Sequence, residues 1–419
     1  MATPAPVAAV AEERPSFGRV LRNRPFFLLW ISQLVSQSGD YIFEVALLWL
    51  VLQVTGSVFA IGLVVAVFAA PSVLLAPVVG VYVDRWDRRR VLVITNLLEG
   101  VVVAALAGTV LLHAVDLSLT LVIVALLGSG GTLVRTASSA MVPQTVPTVD
   151  LAPANSLLTF SGSFNQIVGY TLGGVAVALL GVTVPIEYDA LSFFIAAALV
   201  TGIGSTYGRP PDAPATPSGF VTEFKEGLAF IRANRFLVEL IALGFVVNFF
   251  GNAAAALFAP YAKLVLHGGA SVYGVLVATI AVGTIVGAGV VGKINARRSV
   301  GKLLLGGGVG IGALLVGFGL VTTILPAVGV AVTLGVVLAV TNIPISVLIQ
   351  ARVPGRLLGR VGAVLGALIG GAGPLGAFYS GSLAEASSIP TVFLVSGAAV
   401  VAIMAFGWLV LGELRRVSY

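Results

Sequence analysis

The sequence predicts an all-α membrane protein of twelve transmembrane helices, arranged as two parallel six-helix repeats. Three observations predict it: an apolar composition, a one-sided charge distribution and an internal echo at a constant offset. Hydrophobic residues make up 58% of the 419, charged residues only 10%, and mean hydropathy is +1.08. A soluble domain has about a quarter of its residues charged. This chain has too few charges to cover a water-facing surface, so most of its surface faces lipid. One crossing takes roughly 20 apolar residues, which leaves room for about twelve with short loops.

The apolar stretches place spans at 26–54, 57–83, 91–113, 117–141, 154–181, 186–207, 237–262, 271–293, 302–324, 327–349, 357–384 and 389–412. The charges test that count, because Lys and Arg collect in cytoplasmic loops. Arg14, Arg19, Arg22 and Arg24 precede the first span, and Arg85, Arg88, Arg89 and Arg90 lie between spans two and three. Further sets fall between spans six and seven, eight and nine, and ten and eleven, and Arg415 and Arg416 end the chain. Of 23 Lys and Arg, only Lys263 falls in an outer loop and only Arg135 inside a span. A wrong count would scatter these charges over both faces. The net charge of +6 therefore expresses topology and gives no reason to expect nucleic-acid binding.

The organisation expected is a cytoplasmic tail at 1–25, a six-helix half at 26–207, a cytoplasmic linker at 208–236, a second half at 237–413 and a cytoplasmic tail at 414–419. The first 24 residues have no apolar core ahead of their arginines, unlike a cleaved signal peptide. The linker opens Pro-rich. It then sets Phe220, Phe224, Leu228 and Ile231 at helical spacing, which predicts an amphipathic helix on the cytoplasmic surface.

The halves echo each other. Asn23-Arg24 pairs with Asn234-Arg235, Ser57-Val58-Phe59 with Ser271-Val272-Tyr273, Arg88-Arg89 with Arg297-Arg298, and Val146-Pro147 with Val353-Pro354. Gly169 to Gly174 in span five is matched by Gly373 to Gly376 in span eleven. The offsets all lie between 204 and 214 residues. Six spans per repeat gives both halves one orientation, and so a pseudo-two-fold axis along the membrane normal.

The loop between spans two and three reads Gly80-Val-Tyr-Val-Asp84-Arg85-Trp86-Asp87-Arg88-Arg89. It resembles the G-x-x-x-D-R-x-G-R-R signature of the major facilitator superfamily, with Asp87 where Gly is usual. The resemblance implies a cytoplasmic gate of Gly80, Asp84, Arg85, Arg88 and Arg89. In it Gly80 allows close helix approach and Asp84 pairs with an Arg or caps a helix of the other half. The same residues also serve as plain topology anchors. A narrower resemblance, to bacterial drug exporters of the macrolide-efflux type, rests on Asn23 to Gln33, Ser38-Gly39-Asp40, Ala46 to Trp49, Leu151 to Asn155 and Val353 to Val361. Siderophore exporters share much of this pattern. The antiporter motif G-P-x-x-G-G reads Gly169-Tyr170-Thr171-Leu172-Gly173-Gly174 here, without the proline.

Polar groups inside spans are costly, so those present are candidate sites. Gln33, Gln37, Asp40 and Glu44, spaced by four, three and four, share one face of span one. Asp40 and Glu44, one turn apart in a low dielectric, do not both ionise cheaply, which suits proton coupling. Either could equally cap a backbone break near Gly39 or hold a fixed partner. Arg135 in span four has Glu99 of span three at similar depth. The superfamily resemblance gives such an Arg to proton coupling, and a fixed ion pair with Glu99 is the alternative. Asn165 and Gln166 in span five, and Asn248 and Asn252 in span seven, are candidate cargo contacts or plain interhelical hydrogen bonds. Glu385 reads as a solvated loop charge.

With no cysteine, only two histidines and no phosphate-binding loop, the chain shows no metal cluster, nucleophile or ATP site, and no cofactor or enzymatic activity is expected. The resemblance implies a proton-coupled secondary exporter of amphipathic or cationic compounds. That exporter would be a monomer in the bacterial inner membrane with both termini cytoplasmic. The alternative cargo is a siderophore or a lipid. An anionic siderophore would want cavity cations, and only Arg135 offers one.

Overall fold

Helix starts and stops follow local chemistry. In the computed structural model, residues 15–208, 220–291 and 300–411 are described, apart from the side chains at 76, 77, 81, 84, 220–223, 300, 355 and 356. Residues 1–14 of the expected N-terminal tail, the whole expected C-terminal tail at 414–419 with the two residues before it, the Pro-rich part of the linker at 209–219, residues 292–299 and the Asp84 side chain lie outside the described residues.

A short helix α1 (Phe17–Arg22) leads into α2 (Arg24–Thr55), which Asn23 caps by accepting from the Phe26 N–H. Gly56, at φ +65°, ends α2 in the left-handed conformation that glycine adopts without strain. Ser57 caps α3 (Val58–Leu74), and α4 (Ala76–Arg85) follows after Leu75. Asp87 caps α5 (Arg88–Leu111) and Asp116 caps α6 (Leu117–Thr145). A 3₁₀ turn precedes α7 (Leu151–Leu180), then comes α8 (Thr183–Thr201). The linker contains α9 (Phe220–Ala233). The second half has α10 (Arg235–Pro260) with a π-helical turn at Tyr261–Val265, α11 (Ala270–Val291), α12 (Val300–Leu320) and α13 (Ile324–Arg352). It ends with α14 (Gly355–Gly370), α15 (Ala372–Ala386) and α16 (Ile389–Val410).

Eleven helical stretches among the described residues are long and apolar enough to cross a membrane, with α14 and α15 counted as one. Two predicted spans come out broken. Span 57–83 becomes α3 and α4, because Pro71 and the proline at the start of α4 each remove a backbone donor. Span 357–384 becomes α14 and α15 at Gly371, where Pro374 has no N–H to give to Gly370. The sixth span is shorter and earlier than predicted: α8 starts at Thr183 and stops at Thr201.

Packing repeats itself across the two halves. In the first, α2 packs on α7 and α8, α5 on α6 and α8, and α3 on α6. In the second, α10 packs on α15 and α16, α12 on α13 and α16, and α11 on α13. The halves meet mainly where α7 crosses α11 and α3 crosses α15. Both crossings run backbone to backbone at glycines. A Cβ on Gly174 would stand 2.8 Å from the Ala270 carbonyl oxygen, and one on Gly62 would stand 2.5 Å from that of Ala377. Near these crossings Phe59 meets Phe378 edge to face, and Lys263 Nζ lies 5.4 Å above the Trp49 ring. Glu385, expected to be a loop charge, instead accepts from the N–H groups of Val58 and Phe59 at 3.2 and 3.3 Å. It thereby holds the positive end of α3 from the other half.

The apolar core has the same asymmetry. One large buried cluster joins both halves around these crossings. Towards the arginine-rich end it divides, with one cluster inside each half. At that end α1 is tied to the turn before α7. Arg19 donates through Nε and Nη2 to the buried Asp150 at 2.5 and 2.9 Å, and Ser16 N–H donates to the same carboxylate. A paired, bidentate carboxylate leaves an orphaned charge when its partner is cut away. Arg19→Ala is expected to lower the melting temperature of the detergent-solubilised protein by a few degrees, read by differential scanning fluorimetry. An unchanged melting temperature would mean that α1 is not anchored there. The linker helix α9 docks on α14 through an Arg360–Glu226 ion pair.

Candidate functional site

A cavity of about 420 Å³ lies inside the first half, walled by α2, α3, α5, α6 and α8. The polar stripe predicted on the first span forms one wall: Gln33, Gln37, Asp40 and Glu44 all line it. Asp40 stands at the middle of α2 and is open to the cavity. Glu44, one turn on, accepts a hydrogen bond from the Tyr170 hydroxyl at 2.7 Å. Gln33 Nε2 donates to Ser138 Oγ at 2.8 Å, and Gln37 Nε2 reaches Gln33 Oε1 at 3.4 Å. The stripe is thus a hydrogen-bonded ladder that rises from α6 towards the two carboxylates. Val64, Val65, Phe68, Leu127 and Phe193 supply apolar wall opposite it.

Three other ionisable groups enter the same space: Glu99 from α5, Arg135 from α6 and Asp189 from α8. Arg135 sits deeper than the predicted span end implied. Because α6 runs on to Thr145, it is about 15 Å from the helix end at ~1.5 Å per residue. The Glu99–Arg135 ion pair offered as an alternative does not form: among the described residues no acid lies within 4 Å of Arg135. Arg135 is exposed to the cavity and stands within electrostatic reach of Asp40.

Asp189 was not singled out from the sequence. A sixth span that began at residue 186 would leave Asp189 within one turn of the membrane interface. The helix begins at Thr183, so the side chain is inside. A signal was present: Ser192, three residues on, shares its face and donates to Asp189 Oδ1 at 3.3 Å.

The amide candidates lie elsewhere. Asn165 is buried and donates to the Leu34 carbonyl at 2.8 Å, fastening α7 to α2. Asn248 and Asn252 bond back to Gly244 and Asn248 within α10. Neither these nor Gln166 lines this cavity. In the loop motif, the Arg88 N–H donates to the Gly208 carbonyl. Arg89 bonds the Val200 and Thr201 carbonyls and so closes the C-terminal end of α8 within its own half. Arg85 is exposed, and a Cβ on Gly80 would meet nothing within 4 Å among the described residues, so the close approach expected there is not made in this structure.

A bundle of apolar helices around an acid-rich internal cavity, built from two halves that meet at glycine crossings, defines a polytopic membrane transporter. The chain matches the transmembrane secretion effector family over residues 18–415 and belongs to that family of major facilitator transporters. It is 28% identical over 219 residues to the multidrug efflux pump Tap of Mycobacterium tuberculosis, covering 49% of this chain and 51% of Tap. It is 25% identical over 239 residues to macrolide efflux protein A of Streptococcus pyogenes, covering 56% of this chain and 57% of that protein. The chain spans about half the length of these relatives. Among solved structures, its fold is similar to a point mutant of the nucleoside transporter NupG, with a TM-score of 0.77 at 13% identity over 92% of this chain and 99% of that one. It is also similar to a bacterial homologue of the lysosomal transporter Spinster, with a TM-score of 0.69 at 15% identity over 94% of this chain and 98% of that one.

Proposed function

We propose that the protein is a proton-coupled exporter of amphipathic or cationic compounds, working by alternating access of two six-helix halves. In this reading α3 and α4 together make the crossing that brings the count to twelve. Each half spans 26–207 or 237–413, and both termini lie in the cytoplasm of a bacterium, beneath its inner membrane. The carrying observation is the cavity's excess of acid: four carboxyl groups, Asp40, Glu44, Glu99 and Asp189, against one cation, Arg135, so that the wall stays negative even with two of them protonated. Such a wall attracts a cation and repels an anion, which disfavours an anionic siderophore. Protons and the cation compete for the same carboxylates, and that competition is the exchange. Asp40 and Glu44 are the primary exchange pair, with Arg135 biasing Asp40 and Glu99 a further proton-coupling acid deeper in the wall.

The division of the core supports the cycle. The halves share one core away from the arginine-rich end and have separate cores at that end. With that end cytoplasmic, the structure corresponds to a state closed outside. The Gly80–Arg89 motif would then form its contacts with the other half only in the opposite state. The exporter resemblance to Tap and macrolide efflux protein A supports the cargo class.

The test is transport in proteoliposomes with an imposed pH gradient and a fluorescent lipophilic cation. Uphill movement of the cation, collapsed by a protonophore, is expected. Movement of an anionic or lipid probe with none of the cation would overturn the cargo assignment.

A further inference from the structure

Two acids of the cavity wall are unlike the others. Glu99 is 5% exposed and Asp189 is 1% exposed, although both border the cavity. Glu99 Oε2 and Asp189 Oδ2 have no hydrogen-bond partner, and among the described residues no cation lies within 4 Å of either. Asp40, by contrast, is open to the cavity, and Glu44 has the Tyr170 hydroxyl.

Their seats are built by glycines on the facing helices. A Cβ on Gly130 of α6 would overlap Glu99 Oε1, and one on Gly39 of α2 would overlap Asp189 Oδ1 and Ser192 Oγ. Any side chain at either position would evict the carboxyl group. Around them stand Asp40, Tyr41 and Glu44 of α2 and Arg135 of α6, with Tyr170 of α7 behind Glu44. Asp189 lies within electrostatic reach of both Asp40 and Glu99. Apart from Arg135, then, every charged neighbour is an acid. Among the described residues no group of three acids or histidines converges to hold a metal ion. Glu99 has no donor among the described residues, and Asp189 has only the Ser192 hydroxyl, 3.3 Å from Oδ1. A buried carboxylate so poorly partnered, with no counter-charge, is costly, and a bound proton removes that cost.

We propose that Glu99 and Asp189 form a second proton-carrying pair, set in the wall of the first half and separate from Asp40 and Glu44. Each takes one proton from water onto a carboxylate oxygen to become a neutral carboxyl group, and returns it when the cavity is rehydrated from the other side. With both neutral, the charged set is Asp40, Glu44 and Arg135, which a single positive charge on the cargo balances. The role in transport rests on the exporter reading. The bound protons do not.

The experiment is pH-difference infrared spectroscopy of the detergent-solubilised protein without substrate. Wild type should show a protonated-carboxyl carbonyl band at neutral pH that shifts in heavy water. Glu99→Gln and Asp189→Asn should each remove part of it, and the double variant should remove both parts. In proteoliposomes the same variants should lower the number of protons moved per cation. A wild type without the band would overturn the proposal with no variant needed, as would a band unchanged in both variants. A band that behaves as expected in a protein that moves no cation would uphold the proton pair and sink the exporter reading.

Discussion

Asp40→Asn is expected to abolish uphill transport and weaken cation binding, while leaving downhill movement of the cation in place. Asp40 is the one acid of the cavity both exposed to it and placed at the centre of α2. Asparagine keeps its size and hydrogen-bonding reach but loses the exchangeable proton and, with it, the negative charge that attracts the cation. Linkage between proton and cargo is a coupling free energy, on the order of 1–3 kcal/mol, or 5- to 150-fold in affinity. In wild type the cation should therefore bind more weakly as pH falls, because protons occupy the same carboxylate. In the variant that dependence should flatten and gradient-driven accumulation should fall to the leak. The check is cation affinity by fluorescence titration across pH, beside accumulation in proteoliposomes. An affinity with the wild-type slope would move the exchange to Glu44 or the buried pair.

Gly274→Leu should impair the cycle by a different route, by keeping the two halves apart. A Cβ at Gly274 would overlap the Tyr170 carbonyl oxygen and lie 3.1 Å from Gly174 Cα. The obstacle is backbone on a packed helix, so no side chain can swing away. Overpacking of this kind costs roughly 1–3 kcal/mol, which moves a two-state population by about 5- to 150-fold. The chain has no cysteine, so a single Ala377→Cys reports on the seam cleanly. Ala377 is fully buried where α15 crosses α3, on the far side of the seam from Gly274. Labelling by a membrane-impermeant maleimide should rise severalfold in Gly274→Leu, with transport correspondingly reduced. Parental labelling and transport would show that the crossing is not held by this contact.

The two predictions draw on information of different origin. Asp40 was legible beforehand, together with Gln33, Gln37 and Glu44, because helical period is local: four polar residues at those spacings share a face whatever surrounds the helix. Most span positions and the charge asymmetry were legible for a related reason, since lipid and water impose their demands on every segment separately. Asp189 was not legible, because an error of three residues in the start of α8 is enough to move a carboxylate from the membrane interface into a cavity wall.

The remaining discrepancies arise from contacts between segments far apart in the chain. Asn165 became a tie between α7 and α2, and Asn248 and Asn252 turned to their own backbone, because helix rotation in the bundle decides which amides see a cavity. Glu385 joined the positive end of α3 only because glycines at 62 and 381 let the two helices touch. Glu99 came to rest against Gly130 rather than beside Arg135. By itself the sequence determined that the chain is a bundle of apolar membrane helices, where most of them lie and which face of α2 is polar, since each follows from composition or period within one segment. Only the tertiary structure decided which acids share a cavity and where the halves seal. Both depend on how helices distant in sequence rotate and approach, down to the width of a single missing Cβ.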